Sequence, residues 1–152
     1  MEILSEKIRE KKPIRVIGDY DIDGVNATYI LLEGIEKLGG VVDSDIPDRM
    51  KDGYGLNQEL INRALEAGVD TIITCDNGIA AVEEIAYAKK MGMTIIVTDH
   101  HEIPYEEKMG KKCMNFHRQM RSLIRSGSTV NIRSLPCVAR QWLISWWKHS
   151  SM

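Results

Sequence analysis

The stretch TIITCDNGIAAVEEIAYAKKMGMTIIVTDHH, residues 71–101, decides the fold. It opens on Thr71-Ile72-Ile73-Thr74, a β-branched run that reads as a strand. Ala80 to Met91 follows at helical spacing, rich in Ala and ended by Gly92. Thr94-Ile95-Ile96-Val97 is then a second strand. Both runs are almost continuously apolar, as parallel strands covered on two faces should be. The connection is too long for a hairpin, so the unit is βαβ.

The same alternation extends upstream. Ile14-Arg15-Val16-Ile17 is a short strand ending at Gly18. Ala27 to Leu38 sets Ile30, Leu31, Ile35 and Leu38 near one helical face and stops at Gly39-Gly40. Val41-Val42 opens a weaker strand, and Leu56 to Ala67 is helical, with Asn57 as its N-cap and Gly68 at its end. The expected fold class is α/β, a Rossmann-like parallel sheet with helices on both faces, occupying residues 1–110.

Composition sets the limits. The chain has 152 residues, 43 % of them hydrophobic, which suits one domain with a packed core. There is no apolar run of about 18 residues, so no membrane span is expected. Met1 to Lys12 is mixed in charge and lacks a signal-peptide core, which predicts a cytoplasmic protein. Cys75, Cys113 and Cys137 have neither paired nor zinc-finger spacing and read as reduced thiols.

Charge is distributed unevenly. All 22 Asp and Glu precede Lys108, whereas eight of the 20 Lys and Arg lie from Lys111 onward. All three Trp also fall in that last segment, as Trp142, Trp146 and Trp147. A basic, aromatic tail can be a nucleic-acid-binding arm. It can also be a segment never selected as protein.

In an open parallel sheet, ligands sit beyond the C-terminal strand ends, so the residues after each strand are the informative ones. They are Asp19-Tyr20-Asp21-Ile22-Asp23-Gly24, Ile46-Pro47-Asp48-Arg49, Asp76-Asn77-Gly78 and Asp99-His100-His101. Taken singly, each has a plain explanation. The first could be a calcium loop or polar turn, the third an Asn-Gly turn, and the second a surface ion pair. A His pair after a strand is commonly just a hydrogen-bonded loop. Independent turns, however, have no reason to bring carboxylate and imidazole to one edge after separate strands. Clustered carboxylates repel, and a cation removes that cost. Oxygen and imidazole donors suit manganese or a similar divalent ion. The number of acids suggests two ions, which fits phosphodiester hydrolysis by water activation and charge clamping. Arg49 could bind a substrate phosphate.

The triplet Asp99-His100-His101 resembles the signature of the DHH phosphoesterases, and the other three segments are similar to that family's earlier motifs, in order. Gly53-Tyr54-Gly55-Leu56-Asn57 resembles the RecJ-type branch, whose members degrade single-stranded DNA from the 5′ end with manganese or magnesium. The resemblance runs from about Glu2 to Lys108. It implies metal ligation by Asp19, Asp21, Asp76 and His100, and it leaves Asp99 and His101 to support the site or touch substrate. Asp23 would shape the first loop. The family also includes hydrolases of short oligonucleotides or cyclic dinucleotides, and a remnant without catalysis is a third possibility. A haloacid-dehalogenase-like phosphatase, which also has Asp-x-Asp after its first strand, is disfavoured by the His pair.

Parts of the family pattern have no counterpart. A further aspartate ligand follows the triplet in the family, yet no Asp or Glu follows Glu107 here. The family's C-terminal domain and OB-fold are also expected to be absent from this chain, and the segment before Ile14 is shorter than the usual helical lead-in. The chain is therefore expected to be an incomplete, inactive part of a single-stranded-DNA exonuclease.

Codon constraints bear on the tail. Met has one codon, ATG, so reading the last base of each codon with the first two of the next restricts the shifted frame. Met114–Asn115 then gives only Glu, and the pairs onward to Arg121 permit Phe-Pro-Pro-Ala-Asp-Ala. The shifted string resembles the family segment after the triplet. Lys111-Lys112 encodes an A-rich run where a one-base slip is natural. The expectation is that 112–152 is out of frame and poorly ordered, apart from a helix around Val138 to Lys148.

Overall fold

The computed structural model describes residues 2–48, 50, 53, 55–99, 101, 106–108, 111–113 and 129–133, the last three segments as backbone only. Helix α1 spans Glu2–Arg9, strand β1 Pro13–Ile17, helix α2 Ile22–Lys37 and strand β2 Val41–Asp45. Helix α3 spans Gln58–Glu66, strand β3 Thr71–Cys75, helix α4 Val82–Lys90 and strand β4 Thr94–Asp99. Three short strands follow: β5 Glu106–Lys108, β6 Lys111–Cys113 and β7 Thr129–Arg133. β5 and β6 form an antiparallel pair of their own.

The main sheet has the order β2-β1-β3-β4-β7, with every pairing parallel. Strand side chains alternate between two cores, as the two-residue repeat requires. Ile72, Ile95 and Val97 pack with Leu60, Ile61 and Ile85 of α3 and α4. Ile73 and Ile96 face the other way, against Leu4, Ile8, Leu31 and Ile35 of α1 and α2. The α/β fold with helices on both faces is thus observed. No described helix is long and apolar enough to cross a membrane.

Two elements differ from the sequence reading. α1 supplies a helical lead-in; its Leu4 and Ile8 are one turn apart and both buried. β7 places a strand, Thr129–Arg133, within the segment from Lys112 onward, where the sequence reading set none. Its sequence, Thr-Val-Asn-Ile-Arg, alternates β-branched residues with polar ones, a pattern suited to a sheet margin. The helix expected around Val138 to Lys148 lies outside the described residues.

Candidate metal centre

The sheet order creates the crevice. From β1 the chain passes to β2 on one side and then to β3 on the other, so the connections diverge at the C-terminal ends of β1 and β3. Asp19 lies just beyond β1, Asp76 directly follows β3, and Asp99 ends β4.

Asp19 is 2 % exposed, and one of its carboxylate oxygens accepts the Tyr20 N–H at 2.8 Å. The first turn of α2 packs directly on it. A Cβ at Gly24 would lie 2.7 Å from the backbone N and O of Asp19, so only glycine allows this approach. Asp21 is the N-cap of α2, with its Oδ1 accepting the Gly24 N–H at 2.7 Å. A carboxylate is favoured there by the exposed amides and the helix dipole. Asp23 sits in the first turn.

Asp76 has a φ of 62°, a left-handed conformation that aspartate tolerates better than most residues. Its backbone N–H donates to the Thr98 carbonyl at 3.0 Å, and its side chain is 8 % exposed. This turn drives Asn77 back beneath the sheet edge. Asn77 is buried, and its Nδ2 donates to the carbonyls of Ile17 at 3.1 Å and Cys75 at 2.9 Å.

Asp99 is buried and fully engaged. Its Oδ2 accepts the Ile79 N–H at 2.8 Å, which ties β4 to the loop after β3. Its Oδ1 accepts the His101 N–H at 3.0 Å and lies 2.7 Å from His101 Nδ1. The His101 pKa is raised above the ordinary 6.5, first by the hydrogen bond with Asp99. Partial burial opposes that shift, and the charges of Asp99, Asp76 and Asp19 add to it. Nδ1 is committed to Asp99, so a metal or substrate contact by this ring falls to Nε2.

Ligand atoms of Asp76, Asp99 and His101 lie within 4.8 Å of one another. His101 Nδ1 is 4.0 Å from Asp76 Oδ1. Of the expected ligands, Asp76 is in this group. Asp19 is outside it, although its charge acts on the same imidazole, and Asp21 caps α2. His100 and Arg49 lie outside the described residues. The donor set is carboxylate oxygen and imidazole nitrogen, and it fits a hard or intermediate divalent cation. Buried carboxylates side by side are costly unless such a charge balances them.

Fold and donor set together define a doubly wound α/β protein whose topological switch point carries a candidate cation site. The chain belongs to the DHH family: the model described as "DHH family, N-terminal domain" matches residues 13–141. That match and β7 both reach beyond the domain boundary expected at residue 110. The chain is 46 % identical over 99 residues to the single-stranded-DNA-specific exonuclease RecJ of Bacillus subtilis (strain 168). The alignment covers 65 % of this chain and 13 % of that protein. The crystal structure of exonuclease RecJ bound to manganese superposes with a TM-score of 0.71 at 30 % identity. It covers 99 % of this chain and 36 % of that one. RecJ from Thermus thermophilus, solved in complex with Mn2+, gives 0.67 at 28 % identity, covering 99 % and 20 % of the two chains. The chain thus spans a minor part of the relatives it matches.

Proposed function

We propose that this chain is part of a metal-dependent phosphodiesterase that hydrolyses single-stranded DNA from the 5′ end, using Mn2+ or Mg2+. The observation that carries the reading is the convergence of buried Asp76 and Asp99 with His101 at the switch point, beside Asp19. Similarity to RecJ exonucleases, two of them solved with manganese, supports the substrate class and the metal.

In this reading Asp19, Asp21, Asp76 and His100 hold the metal. Bound divalent ions would supply an activated water and neutralise charge on the attacking and leaving oxygens. Asp99 fixes the His101 ring through Nδ1, so that Nε2 can hold a proton near a phosphate oxygen. Arg49 would grip a phosphate in a forked geometry. DNA repair and recombination in the cytoplasm are the setting in which such an activity serves.

The chain by itself is expected to be a poor nuclease. Within these 152 residues no Asp or Glu follows Glu107, where the family places a later aspartate ligand. The test is incubation with Mn2+ and 5′-labelled single-stranded DNA, beside a version with the alternative frame restored after Lys111. Nucleotide release by the restored protein alone is the expected result. Release by the chain as it stands would overturn its assigned inactivity. Cleavage confined to oligomers of a few nucleotides would overturn the substrate class.

A further inference from the structure

We infer that Asn77 is the positioning residue that sets the spacing between the two strand ends carrying Asp19 and Asp76. The inference rests on the metal-centre reading above. Ile17 is the last residue of β1 and Cys75 the last of β3, and these strands flank the switch point. The register between them ends at Ile17 opposite Thr74, which is where the site begins. Beyond that point a single amide group takes over, giving one hydrogen to each strand's terminal carbonyl.

The sequence allows few alternatives at this position. Alanine has no donor, aspartate would set a carboxylate against two carbonyls, and glutamine is a methylene too long. The left-handed turn at Asp76 is what aims the residue inward. Gly55, at φ 71°, packs over it, since a Cβ there would lie 3.7 Å from Asn77 Cβ. Asn77 is 1 % exposed, and its Oδ1 has no hydrogen-bond partner among the described residues. A buried amide that leaves its acceptor unsatisfied is retained at a cost. The two donated bonds are the compensating feature. One runs to the carbonyl directly before Asp76 and the other to the carbonyl two residues before Asp19.

The experiment measures Mn2+ binding to the full chain by electron paramagnetic resonance, with melting followed in EDTA. Asn77→Ala is expected to weaken Mn2+ binding by about tenfold or more, as loss of residues that orient metal ligands does. Ile61→Val, in the buried core, is the matched control: it lowers the melting temperature and leaves Mn2+ affinity unchanged. Asn77→Asp supplies a test of sign. A bystander beside the site would bind Mn2+ more tightly once it carried negative charge, whereas a spacer binds it less tightly. If Asn77→Ala does not fold, Asn77→Ser, which keeps one donor, is expected to show an intermediate loss. Wild-type affinity in the folded variants would overturn the positioning role alone. A wild-type chain that binds no Mn2+ while Asn77→Ala is unchanged in fold would overturn the metal centre, and this inference with it.

Discussion

Asp99 holds His101 by two contacts to one oxygen: the ring Nδ1 at 2.7 Å and the backbone N–H at 3.0 Å. The other oxygen is taken by the Ile79 amide. One buried carboxylate therefore fixes both an imidazole and the loop that follows β3.

Asp99→Ala should remove an acceptor from the Ile79 amide, next to a buried side chain. A buried donor left unmade costs about 1–3 kcal/mol, partly offset here by relief of repulsion with Asp76. Urea denaturation in EDTA should show a net loss within that range. Asp99→Asn, which keeps an acceptor, should lose less. Equal losses would show that the Ile79 contact contributes little.

Metal should stabilise the fold through the site. Saturation at a hundred times the dissociation constant contributes about 2.7 kcal/mol. Thermal melting with Mn2+ should rise by a corresponding few degrees and return on chelation. Asp76→Asn should abolish the rise, whereas Asp43→Asn, on exposed β2, should not.

Gly24→Ala tests the contact between α2 and Asp19. The added methyl would meet Asp19 backbone atoms at 2.7 Å, which no side-chain rotation can relieve. A destabilisation of about 1–3 kcal/mol is expected, with Mn2+ affinity falling as Asp19 shifts. Gly68→Ala is the contrast: nothing lies within 4 Å there, and only its positive φ penalises it.

The ion pair of Lys7 with Asp70, 2.7 Å apart, ties α1 to the start of β3. Burial pushes the Asp70 pKa up, but Lys7, the Thr71 hydroxyl and Lys12 together bring it below the ordinary 3.8. A carboxyl depressed in the folded state stabilises above its unfolded value and loses that contribution as pH falls through its folded one. Lys7→Met should therefore be less stable at pH 7. The difference should shrink as pH drops below 3.8. A gap that persists at the acidic end would assign the effect to lost packing.

The segment from Lys112 onward is proposed to be out of frame. Reading the bases across Lys111-Lys112 checks this directly. An alternative frame that stays open through the equivalent of Arg125 and encodes Glu-Phe-Pro-Pro-Ala-Asp supports it; an early stop codon counts against it. β7 would then belong to this reading of the chain alone.

The sheet was legible where both strand faces are apolar. β3 and β4 are buried along nearly their whole length, so their residues leave little alternative to central strands. β2 was harder to bound because its second half, Asp43-Ser44-Asp45, has no β-forming residues. Partners elsewhere hold it: Arg15 pairs with Asp43 and Arg63 with Asp45. α2 begins at Ile22 rather than Ala27, because Asp21 serves as a cap in a loop whose acids also read as a metal motif. α1 shows only Leu4 and Ile8, too few for a helical pattern without the sheet they cover. At the site, the strand-end acids and the triplet stood out by composition. Asn77 did not, since Asn-Gly signals a turn and its partner Ile17 is distant in sequence. That bond depends on which strands become neighbours.

The same strand order has a temporal consequence. Asp19, Asp76 and Asp99 are far apart along the chain and are brought to the same rim only by the strand order of one sheet. Contacts of such long sequence separation form late, after the loops between them have closed. Cation capture should thus act as a checkpoint on completed assembly, and intermediates lacking the β1–β3 junction should leave Mn2+ in solution.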